Sequence, residues 1–198
     1  YEIGVRLVGS EMCIRDSSRT VGLKEYGTLG NATFYCDSGL SIYELENKKI
    51  MVDGIGKVSI SDLLASHTYH KIYLMLGINE LGYDVTQTFE KYASFVNFLQ
   101  TMQPDAIIYV EANLHVTAQR SDSDKTFNNA NINAFNQKIS TLADQRTIYY
   151  LDINELFDDA NGNLGTQYSN DNAHPLGKYY AVWCDWLMEH AVVRDGKS

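Results

Sequence analysis

The chain is poor in three things that usually decide a protein's class early. It has three cysteines, Cys13, Cys36 and Cys184, an odd number with no CxxC pair and no neighbouring histidine cluster. Neither a disulfide framework nor a structural metal site is expected from them. It has no apolar run long enough to span a bilayer, so no membrane insertion is expected, and its start lacks the basic region, apolar core and small-residue cleavage site of a secretory leader. Positive charge is scarce as well: 16 Lys and Arg stand against 25 Asp and Glu, giving a net charge of −9. Such a surface repels nucleic acid and anionic lipid and leaves a neutral or polar small molecule as the expected partner. Internal repeats, linkers and low-complexity tracts are absent too. With 198 residues, 44% of them hydrophobic, the chain can bury one good core and is short for two.

What the sequence does have is alternation. Residues 33–36 read as a short strand, and residues 49–52 and 57–60 as a hairpin around Asp53-Gly54. Residues 72–76, 106–110 and 147–151 are continuous apolar runs, as expected of strands covered on both faces. Between them, Val85, Phe89, Tyr92, Val96 and Leu99 recur on one helical face, and Ile132, Phe135, Ile139 and Leu142 on another. Tyr180, Val182, Trp183, Trp186 and Leu187 mark a last helix. The Asn-rich residues 127–131 read as a helix start. Strands alternating with long helices predict an α/β domain, a parallel sheet with helices on both sides, whose chemistry lies at the carboxyl ends of the strands.

Several candidate residues fall at those ends. In Asp171-Asn172-Ala173-His174-Pro175 an Asp three residues before a His lets one loop deliver a base together with its orienting carboxylate. Ser18, in Ser18-Arg19-Thr20-Val21-Gly22, follows a short apolar run and opens a helical segment. Gly39, in Asp37-Ser38-Gly39-Leu40, and Asn79, in Gly77-Ile78-Asn79-Glu80, each follow a predicted strand. Singly these are weak signals: a serine in such a place is usually a helix cap, and a glycine after a strand is usually a turn.

As a set, these blocks resemble the SGNH hydrolases, also called GDSL-type esterases, over nearly everything from Ser18 onward. The resemblance implies a three-layer α/β/α fold on a flavodoxin-like sheet of about five strands. It also implies hydrolysis of carboxylic esters through an acyl-enzyme, with no metal and no organic cofactor. Ser18 takes the place of the nucleophile, His174 that of the general base and Asp171 that of its orienting partner. The oxyanion hole would be formed by the backbone N–H groups of Ser18 and Gly39 and the side-chain amide of Asn79. O-acetyl groups on a carbohydrate or cell-wall glycan are the expected substrate, and an extracellular or envelope-attached setting is expected with it. An O-acyltransferase shares the same chemistry, and a catalytically silent binding domain is the rival from another class.

Two departures from the family pattern stand out. Asp16-Ser17 occupies the place of Gly-Asp before the nucleophile, which makes Ser17 an alternative nucleophile, and Glu80 replaces the last Asp of the third block, a change expected to matter less. His115, after the fourth strand, could line the substrate rim, against a structural role such as that read for His67, His70 and His190. Residues 158–163 look superficially like a calcium loop but lack its Gly placement and distal Glu, so a solvated turn is expected. Tyr43, Tyr83 and Tyr168 lie near the motif loops, where they could stack on a sugar, although most of the 14 tyrosines fit strands or helix faces as core.

The beginning of the chain is unusual. Residues 1–17 read YEIGVRLVGSEMCIRDS, and VRLVGSEMCIRDS resembles translated sequencing-library adapter. The expected division is a non-native segment, 1–17, standing in for the first strand, followed by a hydrolase domain, 18–198, any native leader having been lost upstream. A genuine but divergent first strand is the alternative, since Ile14 and Val5-Arg6-Leu7-Val8 could each pair in a sheet.

Overall fold

Consecutive side chains on the strands go to opposite faces of one sheet, and both faces are dry. In the computed structural model, which describes residues 10–15, 22–24, 26, 27, 29 and 32–192, five strands run parallel. They are β1 (Glu11–Arg15), β2 (Thr33–Cys36), β5 (Lys71–Met75), β6 (Ile107–Glu111) and β7 (Ile148–Leu151). Their order is β2-β1-β5-β6-β7, the flavodoxin-like arrangement of a doubly wound sheet. Ile72 and Leu74 of β5 enter one apolar cluster, while Tyr73 and Met75 enter the other. Two-sided burial of this kind is why these strands read as unbroken apolar runs.

Helices complete the two outer layers. On one face α1 (Ile60–Ser66), α2 (Val85–Met102) and α4 (Asn129–Ser140) bring Leu63, Phe95 and Phe135 against Ile14, Leu74 and Val110. On the other, α5 (Asn154–Phe157) and α6 (Lys178–Glu189) bring Phe157, Tyr180 and Trp183 against Cys13, Tyr73 and Tyr109. The short α3 (Ala118–Ser123) buries none of its residues. An antiparallel hairpin, β3 (Lys49–Val52) with β4 (Gly56–Ser59), lies outside the main sheet. Caps follow local chemistry: Asp84 accepts the Thr86 and Gln87 N–H groups at the start of α2, and Asn128 accepts that of Asn131 at the start of α4.

The sequence reading carries the second hairpin strand through Ile60, but the strand ends at Ser59. The Ser59 side chain accepts the Asp62 N–H and starts α1, so Ile60 is the first residue of a helix. Expected and observed bounds of β5, β6 and β7 otherwise differ by a single residue.

β1 lies inside the sheet between β2 and β5, with Met12, Cys13 and Ile14 at most 1% exposed. Its last residue, Arg15, is sealed from solvent. Nη2 lies 2.7 Å from Glu111 Oε1 and 2.6 Å from Oε2, and the guanidinium sits 5.4 Å above the Trp183 ring. Between β1 and β5 the winding of the sheet reverses. A ligand crevice forms at such a reversal, outside the carboxyl ends of the two strands.

Candidate active site

The loops after β2 and β5 meet at that crevice and hold each other. Leu40 N–H donates to the Asp37 carbonyl at 3.1 Å, closing a turn with Gly39 at φ 77°, a left-handed value that glycine adopts without strain. After β5, Gly77 has φ 107°, and a Cβ there would lie 2.1 Å from the Phe135 ring. Only glycine fits. This turn delivers Asn79, on a short 3-10 turn (Ile78–Glu80), to the surface. Asn79 Nδ2 donates to the Leu40 carbonyl at 3.0 Å, which fixes the rotation of the amide. Two residues further along the same loop, the Ile42 N–H donates to Glu80 Oε1 at 2.9 Å. Glu80 is 2% exposed. Burial pushes its carboxyl pKa up, against the opposing bonds from Ser41 and Ile42. Replacing the family's Asp with Glu therefore has a structural use: the longer arm reaches the neighbouring loop.

The loop before α6 presents a histidine already paired with its carboxylate. His174 Nδ1 lies 2.6 Å from Asp171 Oδ2, while Asp171 Oδ1 accepts from His174 N at 2.7 Å, Ala173 N at 3.0 Å and Ser169 Oγ at 3.0 Å. Partial burial works against ionisation of Asp171, but these bonds outweigh it and hold the carboxyl below the usual aspartate range. The pair remains open to solvent, with the side chains 41% and 57% exposed. Two contacts tie it to the rest of the edge. Ala173 packs with Val116 and Ile132 in a small apolar cluster that also takes Ile78, the residue before Asn79. Asn172, at φ 69°, accepts the Thr117 N–H on its carbonyl at 3.0 Å and the Thr117 hydroxyl on Oδ1 at 2.9 Å.

Thr117 ends the extended segment 112–117 that follows β6, and buried amides hold that segment in place. Asn136 Oδ1 accepts the Asn113 N–H at 2.8 Å while its Nδ2 donates to the Asn113 carbonyl at 2.9 Å. Asn129 makes the same two-sided pairing with Val116, at 2.9 Å and 2.8 Å. Asn154 Oδ1 accepts the His115 N–H at 2.7 Å. Each amide thus stands in for a neighbouring strand, satisfying backbone groups that burial would otherwise leave unpaired.

His115 lies within this framework and is 6% exposed. Its Nδ1 is 2.8 Å from Asp158 Oδ2 and its Nε2 is 2.8 Å from Asn133 Oδ1. Both partners are acceptors, so both ring nitrogens donate. Burial disfavours the cation, but Asp158, Asn133 and Asp152 together raise the pKa above the ordinary histidine value. The expected place on a substrate rim is corrected by this geometry: neither ring nitrogen is left for a ligand. The expected turn at 158–163 keeps residues 159–162 exposed, while its first residue, Asp158, turns inward to make this pair.

A sequence profile for the GDSL-like lipase/acylhydrolase family matches residues 50–182. The chain belongs to this family. Similar solved structures include a Streptococcus pneumonia protein whose name refers to platelet activating factor (TM-score 0.70, 18% identity, covering 96% of this chain and 86% of that one). A GDSL-like lipase from Bacteroides thetaiotaomicron has TM-score 0.67 at 15% identity, over 92% of this chain and 89% of that one. An acetyl xylan esterase has TM-score 0.66 at 15% identity, over 92% of this chain and 100% of that one. At these identities the likeness is one of fold. No curated protein matches the sequence.

Of the residues singled out from the sequence of this GDSL-like acylhydrolase, Gly39, Asn79, Asp171 and His174 lie on loops at one edge of the sheet, joined by the contacts just described. Ser18, and with it Ser17 and Asp16, falls outside the described residues. Arg15, three positions earlier, ends β1 with Cys36 and Met75 as its partners, directly between the strands that lead to Gly39 and Asn79. Among the described residues no group of three or more His, Cys, Asp or Glu could hold a metal ion, and no helix is long and apolar enough to cross a membrane. Sequence reasoning missed the supporting shell of Asn129, Asn136, Asn154, Thr117 and Asn172. Their spacing follows no period, and the Asn-rich stretch announces only a helix cap.

Proposed function

We propose that the protein is a serine esterase working through an acyl-enzyme, with Ser18 as nucleophile, His174 as general base, Asp171 as its orienting carboxylate, and Gly39 and Asn79 as oxyanion donors together with the Ser18 N–H. The observation that carries the reading is the Asp171–His174 pair at 2.6 Å, on a loop packed against the turn that bears Asn79. Asp171 at Nδ1 keeps the proton on that nitrogen and leaves Nε2 as the base. Ser18 Oγ gives its proton to Nε2 and bonds to the ester carbonyl carbon, and the carbonyl oxygen becomes an anion facing the donors. Collapse of that intermediate expels the alcohol, which takes the proton back from His174. Water then repeats the sequence on the acyl-serine and releases the acid.

The substrate we favour is an O-acetyl ester of a carbohydrate or cell-wall glycan. A strongly acidic chain disfavours anionic substrates, and a neighbour of the same fold is named as an acetyl xylan esterase. The test is p-nitrophenyl acetate hydrolysis by the parent and by Ser18→Ala and Asn79→Ala. Ser18→Ala should fall to background, and Asn79→Ala should lose about 10²–10³-fold in kcat. Turnover by Ser18→Ala equal to that of the parent removes Ser18 as nucleophile.

A further inference from the structure

We propose that the cavity between the start of α2 and the start of α4 is the subsite for the alcohol half of the ester and takes a pyranose ring. The proposal rests on the esterase reading above. The cavity measures about 300 Å³, and Glu80, Leu81, Tyr83, Asp84, Thr88 and Asn131 are among its walls. That volume is at the small end for ligand sites, roughly 300–1,000 Å³, and suits one ring better than a long acyl chain. It adjoins the oxyanion turn: Glu80 belongs to that turn, and Leu81 also packs against the cluster containing Ala173 and Ile78.

Two observations fix the chemistry of the occupant. The first is an aromatic platform. Tyr83 is 65% exposed and Tyr43 38% exposed, their ring centroids lie 5.6 Å apart, and Tyr43 Oη is bonded at 3.0 Å to Thr88 Oγ1 in the cavity wall. Paired phenol rings offer apolar faces with wet rims, the surface on which the C–H face of a sugar stacks. The second is a surplus of acceptors. Asn131 spends its Nδ2 on the Lys125 and Thr126 carbonyls, and Asp84 caps α2 through Oδ1 alone. These bonds leave Asn131 Oδ1 and Asp84 Oδ2 as the acceptors facing a ligand, while Glu80, sealed from solvent, is already engaged by Ser41 and Ile42 and does not add to them. Hydroxyl donors of a polyol satisfy such oxygens. An alkyl chain would desolvate them without replacement, and an anion would be repelled. Two rings on one side do not enclose a quaternary ammonium.

The experiment is calorimetric titration of xylotetraose, chitotetraose and phosphocholine into the full chain carrying Ser18→Ala, which binds without turnover. Binding of either oligosaccharide, weakened about tenfold by Tyr83→Ala and restored to within about threefold by Tyr83→Phe, is the expected result. Equal affinity in Tyr83→Ala overturns the proposal. So does phosphocholine binding with no response to either sugar, or silence from all three ligands at millimolar concentration. Tyr83 is exposed, and circular dichroism confirms that each variant folds. Ser18-dependent hydrolysis of p-nitrophenyl acetate by the parent is measured alongside, so loss of the sugar subsite and loss of the esterase reading give different patterns.

Discussion

Replacing Asp171 with Asn separates what the carboxylate does for the loop from what it does for the imidazole. Oδ1 carries the loop, accepting from Ser169 Oγ, Ala173 N and His174 N, whereas Oδ2 carries the His174 Nδ1 contact. An asparagine with its oxygen in the Oδ1 position keeps the first three bonds and places an NH₂ where Oδ2 stood. Two donors then face each other unless the ring shifts its proton to Nε2, the nitrogen that must be bare to accept from Ser18. The same replacement in serine proteases costs on the order of 10⁴ in kcat. With these side chains 41% and 57% exposed, water can partly substitute for the lost acceptor. We therefore expect a loss of about 10³-fold, or about 4 kcal/mol of transition-state stabilisation at about 1.4 kcal/mol per decade. The assay is kcat for p-nitrophenyl acetate, alongside thermal unfolding of both proteins. Asp171→Asn should unfold within a few degrees of the parent, since the loop bonds survive. Activity within about fivefold of the parent would refute the reasoning, as would a collapse of stability that accounts for the loss.

Two predictions concern the framework. Since the folded pKa of His115 is raised above 6.5, its charged pairing stabilises the fold fully below that value and is lost as pH rises through the folded pKa. Urea unfolding of parent and His115→Gln should differ most near about pH 5.5 and converge toward about pH 9, and a gap that widens with pH would contradict the assignment. Glu111→Ala strands the Arg15 guanidinium in the core and should cost about 3–5 kcal/mol by denaturant titration. The double replacement Arg15→Met with Glu111→Leu should recover most of that loss, and failure to recover it would mean the pair is more than an isolated buried charge problem.

Burial and period explain what could be read from the sequence. The runs at 72–76 and 106–110 are legible because strands buried on both faces need an apolar residue at every position. The α2 and α4 stripes are legible because each has one dry side. α1 is not, since Ser59-Ile60 continues a strand pattern until the Ser59 side chain accepts a helix N–H, a choice made by one hydrogen bond. At the candidate site, Asp171 and His174 are three positions apart and so carry a local signature. The His115–Asp158 pair spans 43 positions and the Asn113–Asn136 pair 23, so neither leaves a mark until the chain is folded. Glu80 was legible only as a departure from a motif. Its reach to Ile42 depends on how far apart two loops settle.

The asparagines behind segment 112–117 have one further consequence. Primary amides carry no net charge and do not titrate under ordinary conditions, so the amide pairings that hold Asn113 and Val116, to whose segment Thr117 and Asn172 fasten the histidine loop, should themselves respond little to acidity or ionic strength. That leaves the titrating contact of this segment to His115 and Asp158. A base must gain and return a proton in every half-reaction. Anchoring it to groups that never do keeps that event local to the imidazole.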